Sequence, residues 1–186
     1  MSSPRLAPVL GSVFVTSSYS AAVRWAAATD RTGPIARYQT QVKADGGTWG
    51  TLSSVGPGTL SATRTIKVGP AYTIRVRAAD AAGNASAWSE AAALVSSVIQ
   101  DGSTTLTRSG AWTRYGNALM SGGTTRYAKA AGASTTLTFT GRGVAVVMPY
   151  APRRGKAQIW LDGTLAGTVD TYRSTLAVRR IVFSRS

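Results

Sequence analysis

Runs in which apolar and polar side chains alternate recur along the whole chain, separated by Gly, Pro, Asp and Asn. Period-two alternation puts successive side chains on opposite faces of an extended strand, and almost nothing here sustains the 3.6-residue period of a helix. The pattern predicts an all-β chain. In the first half it places strands near 9–16, 21–28, 35–44, 47–53, 60–68, 71–80 and 87–95, a spacing that suits an immunoglobulin-like sandwich. In AYTIRVRAAD, Tyr72, Ile74, Val76 and Ala78 share one face and Thr73, Arg75 and Arg77 the other, so the first set is the expected core. Val23 and Trp25 point inward together by the same rule, as do Tyr38, Thr40 and Val42. Asp45-Gly46-Gly47 supplies residues that tolerate the positive φ of a tight hairpin.

A short polar connection, residues 97–103, separates a first domain (1–96) from a second (104–186). Strands are predicted there near 104–109, 125–130, 134–140, 143–149, 156–162, 165–171 and 176–183. GVAVVMP is apolar on both faces and is expected at the centre of a sheet. Leu161-Asp162-Gly163-Thr164-Leu165 reads as a hairpin turning at Asp-Gly. In the last strand Ala177, Ile181 and Phe183 lie on one face and Val178 and Val182 on the other, so both faces seek cover.

Trp25, the YQTQVKADGGTW stretch and YTIRVRAADAAGNASAWSE together resemble a bacterial fibronectin type III domain over residues 5–96. The resemblance implies that Tyr72 is a tyrosine-corner residue whose hydroxyl returns to the backbone. It also implies a spacer or accessory role, often beside secreted enzymes of polysaccharide degradation. No Arg-Gly-Asp loop is present, so the animal adhesion role does not carry over. The run from GAWTRYGNALM to TLAGTVDTY resembles an accessory β-sandwich of secreted actinobacterial proteins, similar to galactose-binding-like jelly rolls. In that family a further strand pair follows the position of IVFSRS, so the second module is expected to be truncated, with an unpaired edge on its last strand. Secretion or display at the cell surface, and a covalently attached catalytic or anchoring domain in a longer parent, follow from the same resemblances. The N-terminus itself carries no clear signal peptide, because Pro8, Gly11 and Ser12 interrupt any apolar core after Arg5.

Charge and chemistry narrow the functional classes. The formal net charge is +14, with nine basic and four acidic residues in 1–98 against twelve and three in 99–186, so the second half is the more basic. Such a surface favours anionic partners, although arginines scattered along strands also serve as ordinary solvated faces. Cysteine and histidine are absent, which removes disulfides, zinc-thiolate sites and the commonest general base and metal ligand. No cofactor or metal site is expected. Asp162 and Asp170 are the only near pair of carboxylates, and each has a turn or strand-end reason to be where it is. No G-x-S-x-G elbow or phosphate-cradling loop occurs. The chain therefore reads as non-catalytic. No run is long and apolar enough to span a membrane.

Exposed aromatic rings stack on the apolar faces of sugars, which singles out Trp112, Tyr115, Tyr127, Tyr150, Trp160 and Tyr172 in the second domain. In KAQIWLD, Trp160 falls on the polar side of its strand. Tyr150-Ala151-Pro152-Arg153-Arg154-Gly155-Lys156 adds three cations beside an aromatic residue. The candidate carbohydrate site is Trp112, Tyr115, Tyr150, Arg153, Arg154, Lys156 and Trp160, facing a polysaccharide or cell-wall polymer. The alternative is a structural spacer or surface-display segment with no ligand. Nucleic acid is disfavoured because the aromatics form no fold-specific stacking motif. Trp88, in SAWSE, is expected to lie against Arg75 or Arg77 as a structural stack.

Overall fold

The computed structural model describes residues 4–15, 17–31 and 33–186. Its regular structure is all strand apart from one 3-10 turn at Ser121–Gly123. Among the described residues no helix is long and apolar enough to cross a membrane. The chain divides into two compact units. The first holds the described residues up to Pro8, Tyr19–Ser97 and Ser186, and the second holds Val9–Ser18 and Val98–Arg185.

Strands β1 (Arg5–Pro8), β2 (Ser18–Arg24), β3 (Ile35–Ala44), β4 (Ser53–Val55), β5 (Ser61–Lys67), β6 (Ala71–Asp80), β7 (Ser89–Glu90) and β8 (Leu94–Val95) build the first unit. They form a three-stranded sheet, β1-β2-β5, and a five-stranded sheet, β4-β3-β6-β7 with β8 also on β6. The two sheets pack as a β-sandwich. Val23, Trp25 and Ala62 meet Tyr38, Ile74, Val76 and Ala78 in one buried cluster, as the alternation requires. The Trp25 and Tyr38 rings lie 5.7 Å apart, tilted by 54°, and the Tyr38 hydroxyl accepts the Ala28 amide at 2.8 Å. Tyr72 is half-buried rather than a core residue, and its hydroxyl accepts the Lys67 amide at 3.2 Å. Asp45 and Gly46, at φ 49° and 70°, make the expected turn. The Asp45 carboxylate also accepts the Ala71 amide at 2.8 Å.

The second unit contains β9 (Leu106–Ser109), β10 (Thr113–Gly116), β11 (Thr124–Tyr127), β12 (Ser134–Leu137), β13 (Val144–Tyr150), β14 (Lys156–Leu161), β15 (Thr164–Asp170) and β16 (Ala177–Arg185). They pair antiparallel as β9 with β12, β10 with β11, β13 with β16 and β14 with β15. Its buried apolar residues, among those described, are Phe14, Met120, Ile181 and Phe183, a smaller set than the first unit's. The Phe183 ring packs on Gly167 of β15, where a Cβ would stand at an ordinary contact distance of 3.7 Å.

Three further expectations are corrected. The run 9–16 is not a strand of the first sandwich. β1 precedes it, and the chain from Val9 to Val15 lies in the second unit. There Gly11 and Phe14 donate to the carbonyls of Ile181 and Arg179 at 2.8 and 2.7 Å, and Ile181 donates to Ser12 at 3.0 Å. β13, expected at the centre of a sheet, has β16 as its ladder partner among the described residues, and Val147 is exposed. The apolar composition of GVAVVMP specifies a strand but not two neighbours. β16 is not left open along its middle, because β13 covers one side and residues 11–14 bond to Arg179–Ile181 on the other. Ile181 and Phe183 are 2% and 8% exposed.

Candidate functional site

A loop between β13 and β14 and the segment after β15 are laced together by main-chain bonds. Ala151 donates to Thr171 at 3.2 Å, Arg173 to Ala151 at 3.2 Å, Thr171 to Gly155 at 3.0 Å and Arg154 to Ala151 at 3.2 Å. The buried Thr171 hydroxyl gives Gly155 a further bond of 2.8 Å. Ala151 and Tyr172 bridge in parallel, an isolated contact between otherwise antiparallel strands. Loops carrying so many of their own hydrogen bonds hold their side chains in place before any ligand arrives.

That lacing brings cations onto rings. The Arg173 guanidinium lies 5.3 Å from the centre of the Tyr150 ring, and that of Arg154 lies 5.9 Å from Tyr127. Both distances fall within cation–π range, worth about 0.5–1 kcal/mol at exposed sites. On the β10–β11 pair Thr113 opposes Tyr127 and Tyr115 opposes Thr125, so Tyr115 and Tyr127 share a face. Tyr115 is 49% exposed. Arg153 and Lys156 flank Arg154 in the chain and are exposed. Lys156 stands across from Asp170, whose carboxylate accepts the Tyr172 amide at 2.9 Å.

The candidate residues therefore divide. Tyr150 and Arg154, with Arg153 and Lys156 beside them in the chain, belong to one aromatic and cationic cluster, and Tyr115 shares the β10–β11 face with its Tyr127. Trp160 does not join it. It is 56% exposed, as the alternation indicated, but sits at the other end of β14, about 13 Å along the strand from Lys156. Its cross-strand partner there is Leu165. Trp112 is half-buried, and its indole N–H closes its own turn on Ser109 at 3.0 Å. Arg173 escapes a reading of the sequence, where it stands alone between Tyr172 and Ser174. Only the contact between segments more than twenty residues apart brings it to Tyr150.

The carboxylates are engaged structurally. Asp162 and Gly163 take φ of 49° and 76° at the β14–β15 turn, while Asp170 ends β15, so the two lie at opposite ends of one hairpin. Their positions differ by roughly 20 Å of strand, against the roughly 5–9.5 Å separations that glycosidic chemistry uses. Asp101 accepts Thr124 Oγ1 at 2.6 Å, and its main-chain carbonyl accepts Arg126 at 3.1 Å and also Arg108. Among the described residues no cluster of acidic side chains suits a metal ion.

In the first unit the expected Trp88 stack is part of a longer ladder. Arg75 lies 3.9 Å from the Trp49 ring centre and 4.2 Å from that of Trp88, with Lys43 also over Trp49 and Arg77 also over Trp88, each at 4.5 Å. Gln41 accepts from Arg75 at 2.7 and 3.1 Å and Gln39 from Arg77 at 2.8 Å. Each indole already carries two cations, which leaves these rings poorly placed to stack on a sugar. A shallow hollow of about 460 Å³ beside Trp88 is lined by Ala27, Ala28, Thr29 and Ser86–Ser89, with no charged group in it.

The chain matches no family model, no curated protein and no solved structure.

Proposed function

We propose that the chain is a non-catalytic pair of extracellular accessory modules, a fibronectin type III-like spacer and a galactose-binding-like module that holds a polysaccharide or cell-wall polymer. The observation that carries the reading is the pair of guanidinium groups, Arg154 and Arg173, lying over Tyr127 and Tyr150 on loops laced by their own main-chain bonds. A polymer with hydroxyl and acidic groups would find rings for its apolar faces and forked donors for its oxygens. The excess of positive charge in the second half would draw such a chain in at long range. Secretion, and a catalytic or anchoring domain attached in a longer parent, belong to the same proposal. The test is retention of the full chain on a panel of insoluble polysaccharides and bacterial wall preparations. Specific retention, weakened by Tyr150→Ala, supports the reading.

A spacer without a ligand is the second reading. It is favoured by the way Trp49, Trp88 and Trp112 are already committed to intramolecular contacts. It requires that no polymer in the panel retains the chain.

A further inference from the structure

The last strand, β16, depends on a segment that lies more than 160 residues away in the sequence. β13 and β16 form a two-stranded pair, and its register breaks between Val146 and Val147 and again between Met148 and Tyr150. Two strands alone are marginal in water, and interrupted pairing weakens them further. Arg179 sits inside β16 at φ 55°, a left-handed conformation that is uncommon for a residue with a side chain. Along the remaining edge run residues 11–14. Phe14 donates to the Arg179 carbonyl at 2.7 Å, Gly11 to Ile181 at 2.8 Å, and Ile181 back to Ser12 at 3.0 Å. Val13 and Arg180 bridge in antiparallel fashion. The Arg180 guanidinium clamps the Gly11 carbonyl at 3.1 Å. The guanidinium of Arg179 donates to Leu119 at 2.7 Å and Ala118 at 3.1 Å, so the unusual backbone is fastened on two sides.

We infer that residues 12–14, which follow a turn at Leu10–Gly11 (Gly11 φ 73°), act as a short donor strand, and that the edge of β16 they cover is a docking site for a short extended segment with a single aromatic anchor. The side chains support that division of labour. Phe14 is 5% exposed, whereas Leu10, Val13 and Val15 are 60%, 40% and 55% exposed. One ring and a short ladder hold the segment, and the rest of its apolar surface faces outward. A strand held this way is separable from its site, as strands added to a sheet edge generally are. The resident occupant is this chain's own segment, and the site accepts the same segment offered as a separate peptide.

Hydrogen exchange followed by mass spectrometry on the full chain tests this, with residues 74–78 of β6 as an internal reference. Phe14→Ala should speed exchange in residues 177–185 by roughly a hundredfold and leave the reference unchanged. Arg180→Gln, which removes only the clamp on Gly11, should give a smaller increase of about fivefold at the same amides. A lysine-flanked peptide of residues 9–15, added to the Phe14→Ala protein, should restore protection, and the same peptide carrying Ala for Phe should not. Unchanged β16 exchange in both variants would overturn the inference. So would acceleration spread equally over the reference, or failure of the peptide to protect β16.

Discussion

At the scale of single residues, two sites show how an unsatisfied and a well-bonded polar group differ in consequence. Trp25 is 6% exposed, and its indole N–H is buried without a partner among the described residues. Trp25→Ala should cost about 3–5 kcal/mol in chemical unfolding, as truncation of a large core aromatic does. Trp25→Phe should cost much less, because it removes an unsatisfied donor while keeping most of the ring. Equal losses for the two variants would show that the N–H is satisfied. Asp80 is half-buried, and its pKa lies below the ordinary carboxylate value chiefly through the hydrogen bond from the Asn84 side chain, with the Asn84 and Gly83 amides adding to it. A depressed folded-state pKa means stability that is present above the unfolded value and lost as pH falls through the folded one. Asn84→Ala should therefore raise the Asp80 pKa in an NMR titration and reduce the acid sensitivity that this carboxylate contributes. An unmoved titration would assign the shift to the main-chain donors alone.

Among the elements, the long strands are legible in the sequence because alternation and length agree. β3 and β6 fall where the pattern puts them, with Tyr38, Thr40, Ile74, Val76 and Ala78 buried. β10 escapes because Thr113–Gly116 is exposed throughout, so no apolar face announces it. The run from Val9 to Val15 reads as extended, yet alternation names a strand's faces and not its neighbours. The cationic cluster is legible only in part. Arg153, Arg154 and Lys156 are consecutive or nearly so, whereas Tyr127 and Arg173 arrive through contacts between distant segments. The exposure of Trp160 follows from its register, but its distance from the loop requires the strand's direction. The β14–β15 turn gives a prediction at this scale. Gly163, at φ 76°, has open space where a side-chain methyl would stand, so Gly163→Ala should cost about 1 kcal/mol through backbone strain alone. A neutral effect on the thermal midpoint would contradict the turn geometry.

For the whole molecule, the division of labour rests on contrast between the units. The first buries a continuous cluster from both sheets and ties Trp49 and Trp88 into a cation ladder. The second buries few large side chains and leaves Tyr115, Phe139, Trp160, Leu165 and Tyr172 exposed. On the proposed reading the first is the spacer and the second the module that presents surface. The fold class, all-β, is readable throughout, since it needs only the two-residue period. The proposed ligand is not, because it depends on which rings and cations meet. The most direct measurement is the equilibrium affinity of the full chain for whichever polymer it retains, compared with an Arg154→Ala/Arg173→Ala variant. The account predicts a loss of about tenfold or more, shrinking as salt is raised, in a variant that stays folded with a thermal midpoint lowered by only a few degrees through the two lost cation–π contacts. Undiminished binding by a folded double variant would contradict it.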